Sequence, residues 1–313
     1  MKILIFGGTG FLGSYLCEEL LKYNYDLNLY IRKNTSNLNS INKYHEKINI
    51  IWGEFSKEES FEKITQNIDY VYHLISPTNI SKVEPILDIN LIIKPTLKLM
   101  DACVKNKVKK IIFFSSGGAV YGIPQNIPIK ENEKNNPISA YGLQKLIIEK
   151  YLSLYYKIYG LDYSILRIGN PYGPGQKPFS NQGIIANILG CYLTNKNIEI
   201  WGDGGVIRDY IYVTDVIKAA RMILNYKGNQ KIFNVAFGKG YSINQIINIV
   251  EDIFKVKLKI NYLKGRKQDV PVNILNIDLL KEELNWHPEV SLNKGIEIMV
   301  NSWNEKNLLF NKY

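Results

Sequence analysis

The chain has 313 residues, about two domains' worth at roughly 150 residues per domain, and long enough to bury a large core without staples. Its residues are 46% hydrophobic and 22% charged, which excludes a disordered or fibrous chain. Lys and Arg number 39 against 29 Asp and Glu, and this formal charge of +10 raises three anionic partners: nucleic acid, a membrane surface or a small substrate.

Apolar runs of strand length alternate with segments of helical period through the first half, which predicts stacked βαβ units around a doubly wound parallel sheet. Strands are expected near Lys2–Phe6, Leu27–Ile31, Ile48–Trp52, Tyr70–Leu74, Lys110–Ser115 and Tyr163–Arg167. Helices are expected near Phe11–Tyr23, Ser60–Asn67, Glu84–Asn106 and Ser139–Tyr159. The unbroken apolarity of Ile3–Phe6 and Ile111–Phe114 belongs to strands covered on both faces. Ile3–Phe6 is cut by Gly7 and Gly8 before a signal-peptide core could form, and no apolar stretch approaches the roughly 18 residues of a membrane span. A cytoplasmic chain is expected.

After about residue 168 the rhythm loosens, and Asn170-Pro171-Tyr172-Gly173-Pro174-Gly175 opens a second, smaller α/β region. The expected division is residues 1–168 with about 209–238 in a dinucleotide-binding domain, and about 169–208 with 239–313 in the other. Basic residues are dispersed, without a block of like charge or a zinc-finger or RNA-recognition signature, so nucleic acid is disfavoured. Cys17, Cys103 and Cys191 are odd in number and set in apolar contexts, which suits buried reduced thiols and leaves the glycosylation triplets at Asn34 and Asn79 without a role. The histidines, His45, His73 and His287, are too scattered for a metal site, and no metal is expected.

Gly7-Gly8-Thr9-Gly10-Phe11-Leu12-Gly13 directly follows the first strand and opens the first helix. Glycines there permit a tight turn and a close approach to a pyrophosphate, whose charge is stabilised by the N–H groups of the helix N-terminus. Gly7, Thr9, Gly10, Phe11, Leu12 and Gly13 are therefore candidate cofactor residues in a Rossmann-like fold. At the end of the second strand, Ile31 stands where an NAD-selecting acid is expected, and Arg32 and Lys33 follow. The missing acid and the added bases point to NADP(H), with NAD(H) as the alternative. Glu54 and Phe55, after the third strand, are candidates to hydrogen-bond and stack on adenine.

Tyr141 and Lys145 stand four apart in a helical segment and so share one face. A cation beside a phenol favours the phenolate, and a lysine can also hold nicotinamide-ribose hydroxyls, which makes the pair a candidate acid–base centre. Ser115-Ser116 ends the fifth strand, at the sheet edge where doubly wound folds place reacting groups.

With the glycine turn, Ser115-Ser116-Gly117-Gly118-Ala119-Val120-Tyr121-Gly122 and the Tyr141–Lys145 pair in hand, the chain resembles the extended short-chain dehydrogenase/reductases. The likeness is to their nucleotide-sugar branch, typified by UDP-galactose 4-epimerase, and it extends through Arg167–Gln176, Trp201–Gly204, Arg208–Val213 and Gly265–Pro271 to Trp286-His287-Pro288. The resemblance implies that Tyr141 is the acid/base and Lys145 its partner, that Leu74 and Asn90 lie on the cofactor side, and that the second domain binds a nucleotide sugar. It implies further that Asn170 meets the sugar or diphosphate and that Arg208 and Arg266 clamp the diphosphate, a task for which guanidinium forks are suited. Relatives are often homodimers that pair two helices, and Leu87, Leu91 and Leu152 offer apolar positions for that.

Two departures bear on the chemistry. Gly117 occupies the position where the 4-epimerase pattern carries a serine or threonine, which leaves Ser116 for that role, and the acid pair of dehydratases is absent. The sequence therefore favours NADPH-dependent reduction of a nucleotide-linked 4-keto-6-deoxy sugar, with an NAD-dependent 4-epimerase of the UDP-glucose/UDP-galactose type as the alternative. A non-catalytic binding protein is disfavoured because both members of the pair are present.

Overall fold

The computed structural model describes residues 1–32, 40–76, 84–180, 183–265 and 270–305. Its strands are β1 (Lys2–Phe6), β2 (Asp26–Ile31), β3 (Ile48–Trp52), β4 (Tyr70–His73), β5 (Lys110–Ser116), β6 (Tyr163–Ile168), β7 (Asn170–Tyr172), β8 (Ile198–Trp201), β9 (Ile207–Tyr212), β10 (Ile232–Val235), β11 (Gly240–Ser242), β12 (Ile260–Leu263) and β13 (Val272–Asn273). Its helices are α1 (Phe11–Lys22), α2 (Phe61–Ile64), α3 (Pro85–Asp88), α4 (Lys94–Lys105), α5 (Ala140–Tyr159), α6 (Ile184–Thr194), α7 (Val213–Leu224), α8 (Ile243–Phe254), α9 (Asp278–Leu284) and α10 (Leu292–Glu305). Two compact units emerge: Met1–Gly122 with Asn135–Arg167 and Ile217–Phe233, and Ile123–Lys134 with Ile168–Val216 and the chain from Asn234 onward.

The first unit is built on a seven-stranded sheet in the order β10-β6-β5-β4-β1-β2-β3. The pairs β1–β2, β2–β3, β1–β4 and β4–β5 are all parallel. Ile3, Leu4, Ile5 and Phe6 are wholly buried, as strands covered on both faces require. The strand order reverses between β1 and β4, and ligands of open α/β sheets bind outside the carboxyl ends of the strands at such a switch point.

Two helices depart from expectation. The Ser60–Asn67 segment yields only the single turn α2, and the Glu84–Asn106 segment is interrupted by a π turn at Ile89–Ile93 between α3 and α4. Pro95 sits in the first turn of α4 and lacks the N–H that a continuous helix would direct at the Leu91 carbonyl, so a change of hydrogen-bond register falls just before it. Leu152, considered above for pairing between protomers, is instead buried in the core.

The second unit groups β7, β9, β11 and β13 in one small sheet and pairs β8 with β12 in another. Asp209 of β9 is fully buried and accepts backbone N–H bonds from Phe237 (2.9 Å), Gly238 (3.0 Å) and Leu275 (3.2 Å), which tie three distant segments together. Residues 123–134, expected in the first domain, join this unit. Ile129 donates to Ile274 and accepts from Asn276, both at 2.8 Å, and the Asn234 N–H reaches Glu131 Oε1 at 2.9 Å. Residues 209–216, also expected with the first domain, fall in the second unit as well. Among the described residues, no helix is long and apolar enough to cross a membrane.

Candidate active site

The glycine turn lies at the carboxyl end of β1. Gly7 has φ +86°, a left-handed conformation that disfavours a side chain, and a Cβ on Gly13 would stand 2.2 Å from the Gly7 oxygen. The start of α1 is thereby pressed against the turn, with the Gly10 N–H bonded to the Gly7 carbonyl at 3.1 Å. No side chain caps α1 and its first turn holds no acid, so its leading N–H groups suit a phosphate. Phe11 and Leu12 are half-buried on the first turn, and the Thr9 carbonyl accepts the Ser40 hydroxyl at 3.2 Å.

The end of β4 closes the other side of that turn. Leu74 donates to the Phe6 carbonyl at 3.0 Å, and a Cβ on Gly7 would lie 3.2 Å from both the Leu74 carbonyl carbon and the Ile75 nitrogen. Asn90 is exposed on the π turn, an irregularity frequent at functional sites. Of the adenine-side candidates, Arg32 is exposed just after β2, while Lys33 lies outside the described residues. Glu54 is exposed and ion-paired to Lys57 at 3.1 Å. Phe55 is a correction: its ring is buried in the core, with centroids 5.4 Å from those of Phe6, Phe61 and His73, and it is not available to stack on adenine.

Tyr141 and Lys145 occupy the first turns of α5, which Ser139 caps by accepting the Gly142 N–H at 3.1 Å. A Cβ on Gly142 would meet the Ala119 carbonyl at 2.5 Å, so glycine beside the tyrosine lets α5 close onto the loop after β5. Ser116 at the end of β5 and Ser76 in the loop after β4 lie beside the Tyr141 phenol. Burial raises the Tyr141 phenol above its ordinary value, and the two serine hydroxyls oppose that rise. Lys145 is almost wholly buried; its Nζ donates to the Phe114 carbonyl at 2.9 Å and the Ile75 carbonyl at 3.4 Å, and lies 5.8 Å from the Tyr141 ring centroid. Burial pushes its ammonium down to about 7, against the pull of Glu149.

Beneath the pair, Glu149 is buried one turn beyond Lys145. It accepts the Ser115 hydroxyl and pairs with Arg167 of β6 through Nη2 at 2.6 Å and Nε at 3.2 Å. The Arg167 guanidinium also lies 4.8 Å from the Tyr121 ring centroid. Ser76, Glu149 and Arg167 were not among the candidates. The spacing of Glu149 from Lys145 is a usable signal, whereas Ser76 carries none beyond its place after a strand. His73 on β4 is a core residue, its Nε2 2.9 Å from Thr96 Oγ1, and burial holds it neutral with a value near 3.

In the second unit, Asn170 on β7 donates to the Asp209 carbonyl at 3.3 Å. Arg208 on β9 is half-buried and donates through Nη1 to the carbonyls of Ile207 and Val270. Asp209, the neighbouring carboxylate, takes backbone N–H donors. Arg266 lies outside the described residues. No group of three or more acids, histidines and cysteines arranged to hold a metal occurs among the described residues.

Residues 3–236 match the model of the family described as the NAD dependent epimerase/dehydratase family. The chain belongs to that family. It is 36% identical over 308 residues to a putative UDP-glucose 4-epimerase of Methanocaldococcus jannaschii, covering 97% of this chain and 99% of the relative. It is 30% identical to a dTDP-4-dehydro-6-deoxyglucose reductase of Escherichia coli, covering 96% of each. Among solved structures, the UDP-glucose 4-epimerase of Thermotoga maritima with UDP-glucose superposes with a TM-score of 0.91 at 33% identity, covering 98% of this chain and all of that one. The UDP-glucose 4-epimerase of Thermus thermophilus, in complex with NAD, gives 0.88 at 28% identity over 97% and 99% of the two chains. The family likeness read from the motifs and the Rossmann-like α/β fold both hold, and the chain is an extended short-chain dehydrogenase/reductase of UDP-glucose 4-epimerase type. The expectation of NADP finds no support among these relatives.

Proposed function

We propose that this chain is an NAD-dependent nucleotide-sugar 4-epimerase that interconverts UDP-linked hexoses at C4. The observation that carries the reading is the Tyr141–Lys145 pair with Ser116 beside a glycine turn shaped for a pyrophosphate, in a chain whose relatives of comparable length include several UDP-glucose 4-epimerases. This reverses the order of the two readings drawn from sequence. The reductase remains as the second reading because one relative at 30% identity is a dTDP-4-dehydro-6-deoxyglucose reductase.

The turn from Gly7 to Gly13 holds the cofactor pyrophosphate against α1, and Lys145 holds the nicotinamide-side ribose. Bound NAD supplies the acceptor, and afterwards the donor, for the hydride at sugar C4. Tyr141 takes the proton of the C4 hydroxyl and returns it to the opposite epimer, while Ser116 donates a hydrogen bond to the same oxygen. Asn170 and Arg208 bind the sugar diphosphate, and we assign Arg266 the same task on sequence alone. The exposed apolar residues Leu87 and Leu91 near the π turn, with Leu154 and Ile158 on α5, support a homodimer, and the three buried free cysteines support a cytoplasmic enzyme.

The test is purification followed by assay. Retained NAD and interconversion of UDP-glucose and UDP-galactose without added cofactor are expected. Oxidation of NADPH that requires a 4-keto-6-deoxy sugar nucleotide, with no UDP-hexose turnover, would select the reductase instead.

A further inference from the structure

Two side chains of α5, four residues apart and so on one face of the helix, grip consecutive residues at the end of β5. Lys145 Nζ donates to the Phe114 carbonyl at 2.9 Å, and Glu149 Oε1 accepts the Ser115 hydroxyl. The next residue of the strand is Ser116, assigned above to the C4 oxygen of the sugar. The helix that carries Tyr141 and the strand end that carries Ser116 are thus fastened at two adjacent points. One of them, Lys145, belongs to the assigned machinery; the other, Glu149, has no part in it.

Glu149 is itself held from β6. Arg167 donates to its carboxylate through Nη2 at 2.6 Å and Nε at 3.2 Å, and Nη2 also reaches Asn135 Oδ1, ahead of α5, at 3.2 Å. Stability alone does not call for such a pair, because apolar side chains of similar volume often replace a buried ion pair at no cost. What apolar side chains lack is direction. A carboxylate fixed by a guanidinium fork presents its remaining lone pairs at set angles, and the Ser115 hydroxyl takes one of them.

We propose that Glu149 is a positioning residue of the epimerase reaction: oriented by Arg167, it fixes the Ser115 hydroxyl and with it the Phe114–Ser115 peptide, so that the Phe114 carbonyl keeps Lys145 at the nicotinamide ribose and Ser116 stays beside Tyr141. This rests on the roles proposed for Tyr141, Lys145 and Ser116, and it goes beyond them by giving the buried ion pair a part in their alignment.

Ser115→Ala removes the link and leaves the ion pair in place. In the NAD-loaded enzyme with UDP-glucose it should lower kcat about tenfold with KM little changed, because a small misplacement of reacting groups costs rate more than binding. The double variant Glu149→Leu with Arg167→Met has no acceptor for Ser115. It should regain most of its stability in urea unfolding and still show a kcat reduced about 10- to 100-fold. A kcat that returns together with stability in the double variant, or an unchanged kcat in Ser115→Ala, would overturn the proposal. Tyr141→Phe separates this from the reading beneath it: full turnover in that variant removes Tyr141 as acid/base whatever Ser115→Ala does. A second readout needs no sugar. NADH and ADP, which lacks the nicotinamide ribose, are titrated by calorimetry into the wild-type and Ser115→Ala proteins. NADH should bind about tenfold more weakly to the variant, the scale of one hydrogen bond to a charged group, and ADP equally well. Unchanged NADH affinity, or an equal loss for both nucleotides, overturns the proposal even if UDP-glucose is not the substrate.

Discussion

Arg167 Nη2 lies 2.6 Å from Glu149 Oε2, with both side chains almost completely excluded from solvent. The pair joins β6 to α5 one helical turn beyond Lys145, and Ser115 of β5 supplies a further hydrogen bond to the same carboxylate. Two buried charges are tolerated because each satisfies the other, and removal of one partner leaves the second without compensation. Glu149→Ala should therefore destabilise the fold by about 3–5 kcal/mol, whereas Glu149→Leu with Arg167→Met should recover most of that loss. Urea unfolding of the three proteins decides it, and a cost below about 1 kcal/mol for Glu149→Ala would show that the pair is not buried as described.

Tyr141→Phe removes the phenol oxygen and keeps the ring. Interconversion of UDP-glucose and UDP-galactose should fall by at least about 100-fold, in the range of general acid–base catalysis, with NAD retained through purification. Joint loss of NAD and activity would point to a collapsed site and leave Tyr141 without a demonstrated proton role.

Six of the seven strands of the large sheet were legible almost to the residue because sheets buried on both faces write themselves as unbroken apolar runs, as in Ile3–Phe6, whereas the edge strand β10 was not among the expected elements. The glycine turn and the Tyr141–Lys145 spacing were legible for a related reason: backbone shape and helix period are local properties. What escaped was non-local. Residues 123–134 are placed by hydrogen bonds from Ile129 to residues some 145 positions later, and nothing in their own composition announces it. Phe55 looked available to a ligand because it follows a strand, yet its ring completes an aromatic cluster with Phe6, Phe61 and His73. The helix expected over Glu84–Asn106 ran unbroken through Pro95, and the π turn before that proline carried no signal in the apolar period.

Lys145 gives a pH dependence whose sign is fixed by its burial. Its folded value of about 7 lies below the ordinary 10.5, so between these limits the unfolded chain binds the extra proton. Stability should then rise with pH through that window, by about 1.4 kcal/mol per pH unit from this one group at most. Below the folded value the ammonium is charged in both states and the full cost of burying it remains. Denaturant unfolding of the cofactor-free wild type and Lys145→Met, followed from pH 7 to pH 9, should show the wild type gaining on the variant. Parallel curves would mean that Lys145 keeps its charge in the fold.

Arg208→Ala should raise KM for UDP-glucose by roughly 10- to 100-fold, the scale of one charge-assisted hydrogen bond to a phosphate, with kcat changed much less. Because Arg208 also binds the Val270 carbonyl, thermal unfolding of the same variant is needed beside the kinetics. A lost Tm with an unchanged KM would make the residue a structural tie and no part of the clamp.

Arg32 tests the cofactor. It stands exposed after β2, where Ile31 is buried and offers no carboxylate to a ribose. If the enzyme uses NAD, this guanidinium meets a ribose edge or the adenine face, contacts common to both cofactors, and Arg32→Ala should weaken NAD and NADP alike. If it neutralises a 2′-phosphate, the loss falls on NADP alone, because the charge-assisted bond exists with that cofactor only. Fluorescence titrations of NADH and NADPH into the wild type and the variant should find NADH bound more tightly, and the ratio of the two affinities little changed by the substitution. A wild type that prefers NADPH tenfold, with the preference abolished in Arg32→Ala, would remove NAD as the cofactor and return the reductase to first place.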